Sequence, residues 1–113
     1  MKLHAIQTGC VRIKPAQGDV IAVATPGHTP NHISVVVEDQ DTTYFLAGDT
    51  SYDQRLMLAG RIDGVSPDDD VAKATLDAIN QFARGRKMVY LPTHDPESAA
   101  RLASCTYVAL SPR

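Results

Sequence analysis

The sequence predicts one mixed α/β (α+β) domain built mainly on antiparallel strands. Strand-sized apolar runs recur along the chain, and the turn-forming segment EDQDT between two of them is short enough for a hairpin. One long stretch changes from the two-residue period of a strand to the three- and four-residue steps of a helix. A length of 113 residues with 43% hydrophobic content suits a single small core.

Taken in order, residues 2–7 and 11–13 alternate well enough for a short hairpin, with Gly9 at the bend and 15–18 as a connector. Residues 20–24 form a buried-strand run. Ile33, Val35 and Val37 then alternate with Ser34 and Val36, and residues 43–47 return as the antiparallel partner after the turn. Ser66-Pro67-Asp68-Asp69 reads as a helix start: a capping hydroxyl, proline at the first helical position and carboxylates at the positive helix end. The helix is expected to reach about Arg84, with Val71, Ala72, Thr75, Leu76, Ile79, Phe82 and Ala83 on its buried face and Gly85 as its stop. Residues 88–91 are another strand. Asp95-Pro96-Glu97 then opens a short second helix through an N-cap followed by proline. The cations Arg84, Arg86 and Lys87 and the acidic run 68–70 are read as responses to the helix dipole rather than as sites.

A formal charge of -2 with scattered Lys and Arg excludes the footprint of a nucleic-acid or anionic-membrane binder. No apolar run is long enough to span a bilayer, and MKLHAIQTG has no apolar secretion core, which points to the cytoplasm. Cys10 and Cys105 form no CxxC pair and are expected to be reduced thiols. His4 is read as structural, and Tyr44, Tyr90 and Tyr107 as strand packing residues.

Chemistry concentrates at three points. Three strand-like runs each end on a short polar turn bearing a metal-binding side chain: VIAVATPGH at His28, TTYFLAGD at Asp49 and MVYLPTH at His94. Ligands just past the carboxyl ends of strands in one sheet can converge although far apart in sequence, and two imidazoles with a carboxylate make a zinc-type donor set. Pro26, Gly27 and Pro30 stiffen the loop around His28, and Gly48 lets neighbouring groups approach Asp49. Against this stand blander roles: an ordinary turn histidine at His28, and at His94 a surface residue beside the helix cap Asp95.

These segments together resemble the metallo-β-lactamase superfamily, and within it the N-acyl homoserine lactonases and related hydrolases. TPGHTPNHIS is similar to that family's metal-binding loop, with His28 in the ligand position and His32 in a supporting one. GDTSY is similar to the bridging-aspartate turn, with Asp49 spanning two metals and Tyr52 in the place of the tyrosine that contacts the lactone. PTHDPESA is similar to the last motif, with His94 as ligand, and KLHAIQTGCVRIKP to the opening hairpin.

The family's His-x-His-x-Asp-His string is missing: the four histidines are His4, His28, His32 and His94. The resemblance therefore implies half of an αββα sandwich with helices on one sheet face. It divides the chain into an amino-terminal hairpin, residues 1–17, and a carboxyl-terminal half-fold, residues 18–113. Implied chemistry is metal-dependent opening of lactones or related esters, with Asp49 and Tyr52 catalytic. One zinc ion on His28, Asp49 and His94 with water in the fourth position, or none, is expected; two lack ligands without the missing string. His32 is expected to orient the loop or His28 through a hydrogen bond. The open sheet face around Val20, Val35 and Val37 implies a homodimer, and the alternative to an enzyme is a non-catalytic, dimerising half-fold.

Overall fold

The computed structural model describes residues 2–5, 11–14 and 19–109, with side chains from Val20 onward. Six strands form one sheet in sequence order: β1 (Lys2–Ala5), β2 (Val11–Lys14), β3 (Asp19–Ala24), β4 (Ile33–Asp39), β5 (Thr42–Gly48) and β6 (Lys87–Pro92). Neighbours pair antiparallel up to β5, and β6 then joins β5 in parallel. A parallel pair needs a crossover, supplied here by α1 (Gln54–Leu58) and α2 (Asp69–Ala83); α3 (Ser98–Ser104) follows β6. Consequently β3, β5 and β6 run the same way, and the turns after them, which carry His28, Asp49 and His94, emerge at one sheet end. The mixed α+β class expected from the sequence is observed. The Gly9 bend, the 15–18 connector, Cys10 and the His4 side chain lie outside the described residues.

The pleat decides what the two faces do. Val36 pairs with Phe45, and Phe45 with Tyr90, so the three share a face. There Phe45 packs between Phe82 of α2 and Tyr90, with ring centroids 6.1 and 5.7 Å away. Met57 of α1 and Leu76 and Ile79 of α2 complete this core. Each such side chain contributes about 1.5–3 kcal/mol through burial. Val20, Val35, Val37, Tyr44 and Leu46 fall on the other face, together with Ile33. Ile33 is 59% and Leu46 43% exposed there, whereas Val36 and Phe45 are buried.

The helix starts differ from expectation. Asp68, not Ser66, caps α2: its side chain accepts the amide hydrogens of Asp70 and Val71. Ser66 is already engaged, because both its amide and its hydroxyl donate to Asp63. Val71 is exposed, and the buried stripe is Ala72, Leu76, Ile79 and Ala83. Gly85 has the left-handed backbone (φ 72°) suited to the chain just past a helix end. Before α3, Asp95 accepts the Glu97 amide but does not cap the helix, whose N-cap position is Glu97. The five-residue α1, capped by Asp53, was not expected; it is too short to show a helical period. Tyr107 follows α3 outside any strand and is exposed, so it is not a strand packing residue.

Candidate functional site

The three strand-end turns meet around Asp49. Its Oδ1 lies 3.1 Å from His94 Nε2 and its Oδ2 3.9 Å from His28 Nε2, so each carboxylate oxygen faces a different imidazole. Sequence spacing alone gave no distances; the shared direction of β3, β5 and β6 supplies them. The site is open to solvent, with His28 and Asp49 about one-third exposed and His94 more so.

His28 is oriented by a residue that the sequence reading did not single out. Asp63, in the loop between α1 and α2, holds His28 Nδ1 at 2.7 Å and has a side chain only 4% exposed. Burial pushes the Asp63 carboxyl up. The His28 bond, together with donations from the Val65 amide and from the Ser66 hydroxyl and amide, outweighs this and leaves it below the ordinary carboxylate value. An ionised Asp63 only accepts, so His28 donates from Nδ1 and turns Nε2 toward Asp49. Nothing local in RIDGVSP marks Asp63 as such a partner; 35 positions separate it from His28.

His32 does something else. The Asp49 amide donates to His32 Nε2 at 3.0 Å, which requires that nitrogen to accept. The ring hydrogen then sits on Nδ1 and reaches Thr25 Oγ1 at 2.9 Å. Thr25 passes its hydrogen to Ser34 Oγ at 2.8 Å, and Ser34 donates to the Ala47 carbonyl. His32 thus holds the Asp49 turn by its backbone, while the group bonded to His28 is Asp63. Gly48 makes this possible: a Cβ there would stand 2.9 Å from His32 Nε2, and its φ of 58° disfavours a side chain. Gly27 admits α2 in the same way, its absent Cβ leaving 3.1 Å to Ala72 Cα.

The opposite side of the site is tied down by a buried polar network. Asp95 Oδ2 takes the Gln54 amide at 3.0 Å and an Arg101 nitrogen at 2.6 Å, and Arg101 Nε donates to the Tyr90 carbonyl at 3.0 Å. The Tyr90 hydroxyl meets Thr50 Oγ1 at 2.7 Å and Ser51 Oγ at 2.8 Å. Burial raises the Asp95 carboxyl, but the Glu97 amide, Arg101 and the Gln54 amide together hold it below its usual range. Burial drives the Tyr90 phenol up, despite its hydroxyl partners. Tyr52 is 43% exposed on the turn that carries Asp49.

Two neutral-capable imidazoles and a carboxylate are the right kinds of donor for zinc. Asp49 and His94 are close enough that they would share one ion, and His28 stands farther off. Among the described residues, no group of three or more His, Cys, Asp or Glu side chains closes around a single point. The cluster therefore has the donors of a metal site without forming a complete coordination shell.

Comparisons with known proteins give the family and the fold. The sequence model for the family described as "Metallo-beta-lactamase superfamily" matches residues 15–94. No curated protein matches significantly. Among solved structures, an N-acyl homoserine lactone hydrolase with N-hexanoyl-L-homoserine bound at its catalytic metal centre superposes with a TM-score of 0.64 at 20% identity. That match covers 90% of this chain and 38% of the hydrolase. A variant of AiiA from B. thuringiensis with N-decanoyl-L-homoserine at its active site gives the same identity, coverage and score. A quorum-quenching N-acyl homoserine lactone lactonase is 22% identical over 86% of this chain and 40% of its own, with a TM-score of 0.64. The chain spans about two-fifths of the length of these lactonases.

Proposed function

We propose, from the premise that this chain belongs to the metallo-beta-lactamase superfamily, that it is a lactonase-like hydrolase acting on lactones or related esters through a divalent metal held at Asp49. The reading rests on one observation: a carboxylate turned between two imidazoles at the ends of three co-directional strands. His28 and His94 would hold zinc through their Nε2 atoms and Asp49 through its two oxygens. A zinc ion there supplies Lewis acidity and a lower pKa for bound water.

The chain's own groups divide the remaining tasks. Asp63 and His32 fix the site, one through the His28 ring and the other through the Asp49 backbone. Tyr52, on the same turn, donates its phenolic hydrogen to the carbonyl of the substrate as charge builds on that oxygen. The domain reading that goes with this is an amino-terminal hairpin, residues 1–17, joined to a half-fold, residues 18–113.

A second reading is favoured by the absence of a His-x-His-x-Asp-His string and by exposed Ile33 and Leu46 on the second sheet face. In it the protein is a non-catalytic half-fold that pairs as a homodimer through that face. Elemental analysis of purified protein, its mass in solution and a lactone-opening assay separate the two. About one equivalent of zinc and ring opening, both lost in Asp49→Ala, support the hydrolase; a metal-free, inactive, folded dimer supports the second reading.

A further inference from the structure

We propose that Asp95, Arg101 and Tyr90 form a buried clamp whose task is to set the separation of Asp49 and His94. They are positioning residues, and the inference rests on the preceding reading that Asp49 and His94 share a metal ion. Both ends of the network abut the ligand pair. Thr50 and Ser51 directly follow Asp49 and bond the Tyr90 hydroxyl, while Asp95 directly follows His94 and bonds the Gln54 amide and Arg101. Arg101 closes the ring by donating from Nε to the Tyr90 carbonyl. The Thr93 amide, donating to the Gly48 carbonyl at 2.9 Å, adds a direct backbone tie between the two turns.

Burial and chemistry both point to this role. Asp95 and Arg101 are each 7% exposed and Tyr90 is fully buried. None of the three is among the donors that face the site. A buried ion pair is a weak source of net stability, because desolvation offsets its attraction, but it is stringent about geometry. Arg101 presents two nitrogens to two acceptors on different segments, which a lysine cannot reproduce. Beyond the β5–β6 ladder, which ends at Gly48 and Pro92, the Thr93–Gly48 bond and the clamp join the His94 turn to the turn carrying Asp49.

The test uses two readouts on Tyr90→Phe, Asp95→Asn and Arg101→Lys, each checked for a native far-UV spectrum. The first is Co2+ affinity and the visible spectrum of the Co2+-loaded protein. We expect an affinity loss of about 10–100-fold with an altered spectrum, the size typical of removing groups that orient metal ligands. Tyr90→Phe keeps the ring in the core, so an effect there reports the hydroxyl contacts with Thr50 and Ser51. The second readout is amide hydrogen exchange without metal. Exchange at Gln54 and Thr93 is expected to rise at least tenfold in Asp95→Asn while Val36 and Phe45 keep wild-type protection. Wild-type protein that binds no Co2+ overturns the reading of a metal at Asp49; the clamp then stands or falls on exchange alone. Unchanged exchange at Thr93 and Gln54 in all three variants, or unchanged Co2+ affinity where wild type binds it, overturns the clamp.

Discussion

At the scale of single residues, the site depends on groups that hold donors as much as on the donors. Asp63 fixes the His28 ring at 2.7 Å, so Asp63→Asn is expected to lower zinc affinity by about 10–100-fold in equilibrium dialysis, with secondary structure retained. Unchanged affinity would mean that the Asp63 carboxylate does not orient a metal ligand. Gly48→Ala forces a Cβ to 2.9 Å from His32 Nε2 at a positive φ and should cost about 1–3 kcal/mol in chemical denaturation, with loss of the His32 bond to Asp49. The carboxyls of Asp63 and Asp95 lie below their usual range in the folded protein. Groups depressed in this way bind more protons when unfolded, so stability rises with pH across their titration. Their contribution is complete above the unfolded value of about 4 and disappears as pH falls through the lower folded values. Urea midpoints between pH 6 and pH 2.5 should trace that loss, and Asp95→Asn should flatten it; an equally steep acid limb in the variant would exclude Asp95 as a source.

Among the elements, α2 does most to couple the core to the site. Its Leu76 and Ile79 are buried against the sheet, its Ala72 sits against Gly27, and its Thr75 hydroxyl donates to the Pro26 carbonyl in the His28 loop. Removing the cap with Asp68→Ala should cost about 1 kcal/mol, roughly 4–8 °C in Tm for a domain near this size. Leu76→Ala should cost about 2–5 kcal/mol through lost burial and the cavity left behind. If α2 also positions His28, Leu76→Ala weakens zinc binding at temperatures where the protein is still folded, whereas Asp68→Ala leaves it near wild type. Between α2 and the sheet an apolar hollow of about 430 Å³ remains beside Val23, Val71, Ala78 and Phe82, so the helix covers only part of its sheet face.

For the whole molecule, the question is what meets the second face of the sheet. Ile33 and Leu46 are exposed there, beside the half-buried Val35 and Val37. Under the homodimer proposal, wild-type protein has twice the chain mass in light scattering, and Leu46→Lys combined with Ile33→Asp shifts it to monomer without loss of secondary structure. A monomeric wild type would overturn the homodimer and with it the second functional reading. No helix among the described residues is long and apolar enough to cross a membrane.

The local signals in this chain were strong where the physics is local. Apolar runs marked β3 to β6, with alternation in β4, the 66–84 periodicity marked α2 within a few residues, and His28, Asp49 and His94 each stood at the end of an apolar run, where a turn must follow. Short range also set the errors: Ser66 looks like a cap until Asp63 takes its hydroxyl, and α1 has too few turns to show a period. Through-space matters were left to the tertiary structure. It brought Asp63 to His28 across 35 positions and gave His32 to the Asp49 turn. It also closed the Asp95–Arg101–Tyr90 network around the opposite side. A residue's own neighbours fix its backbone tendency, and so the sequence alone determined which side chains stand at strand ends. Which hydrogen bond each makes depends on desolvation and on partners delivered by sheet pairing and helix packing, which only the folded chain brings within reach.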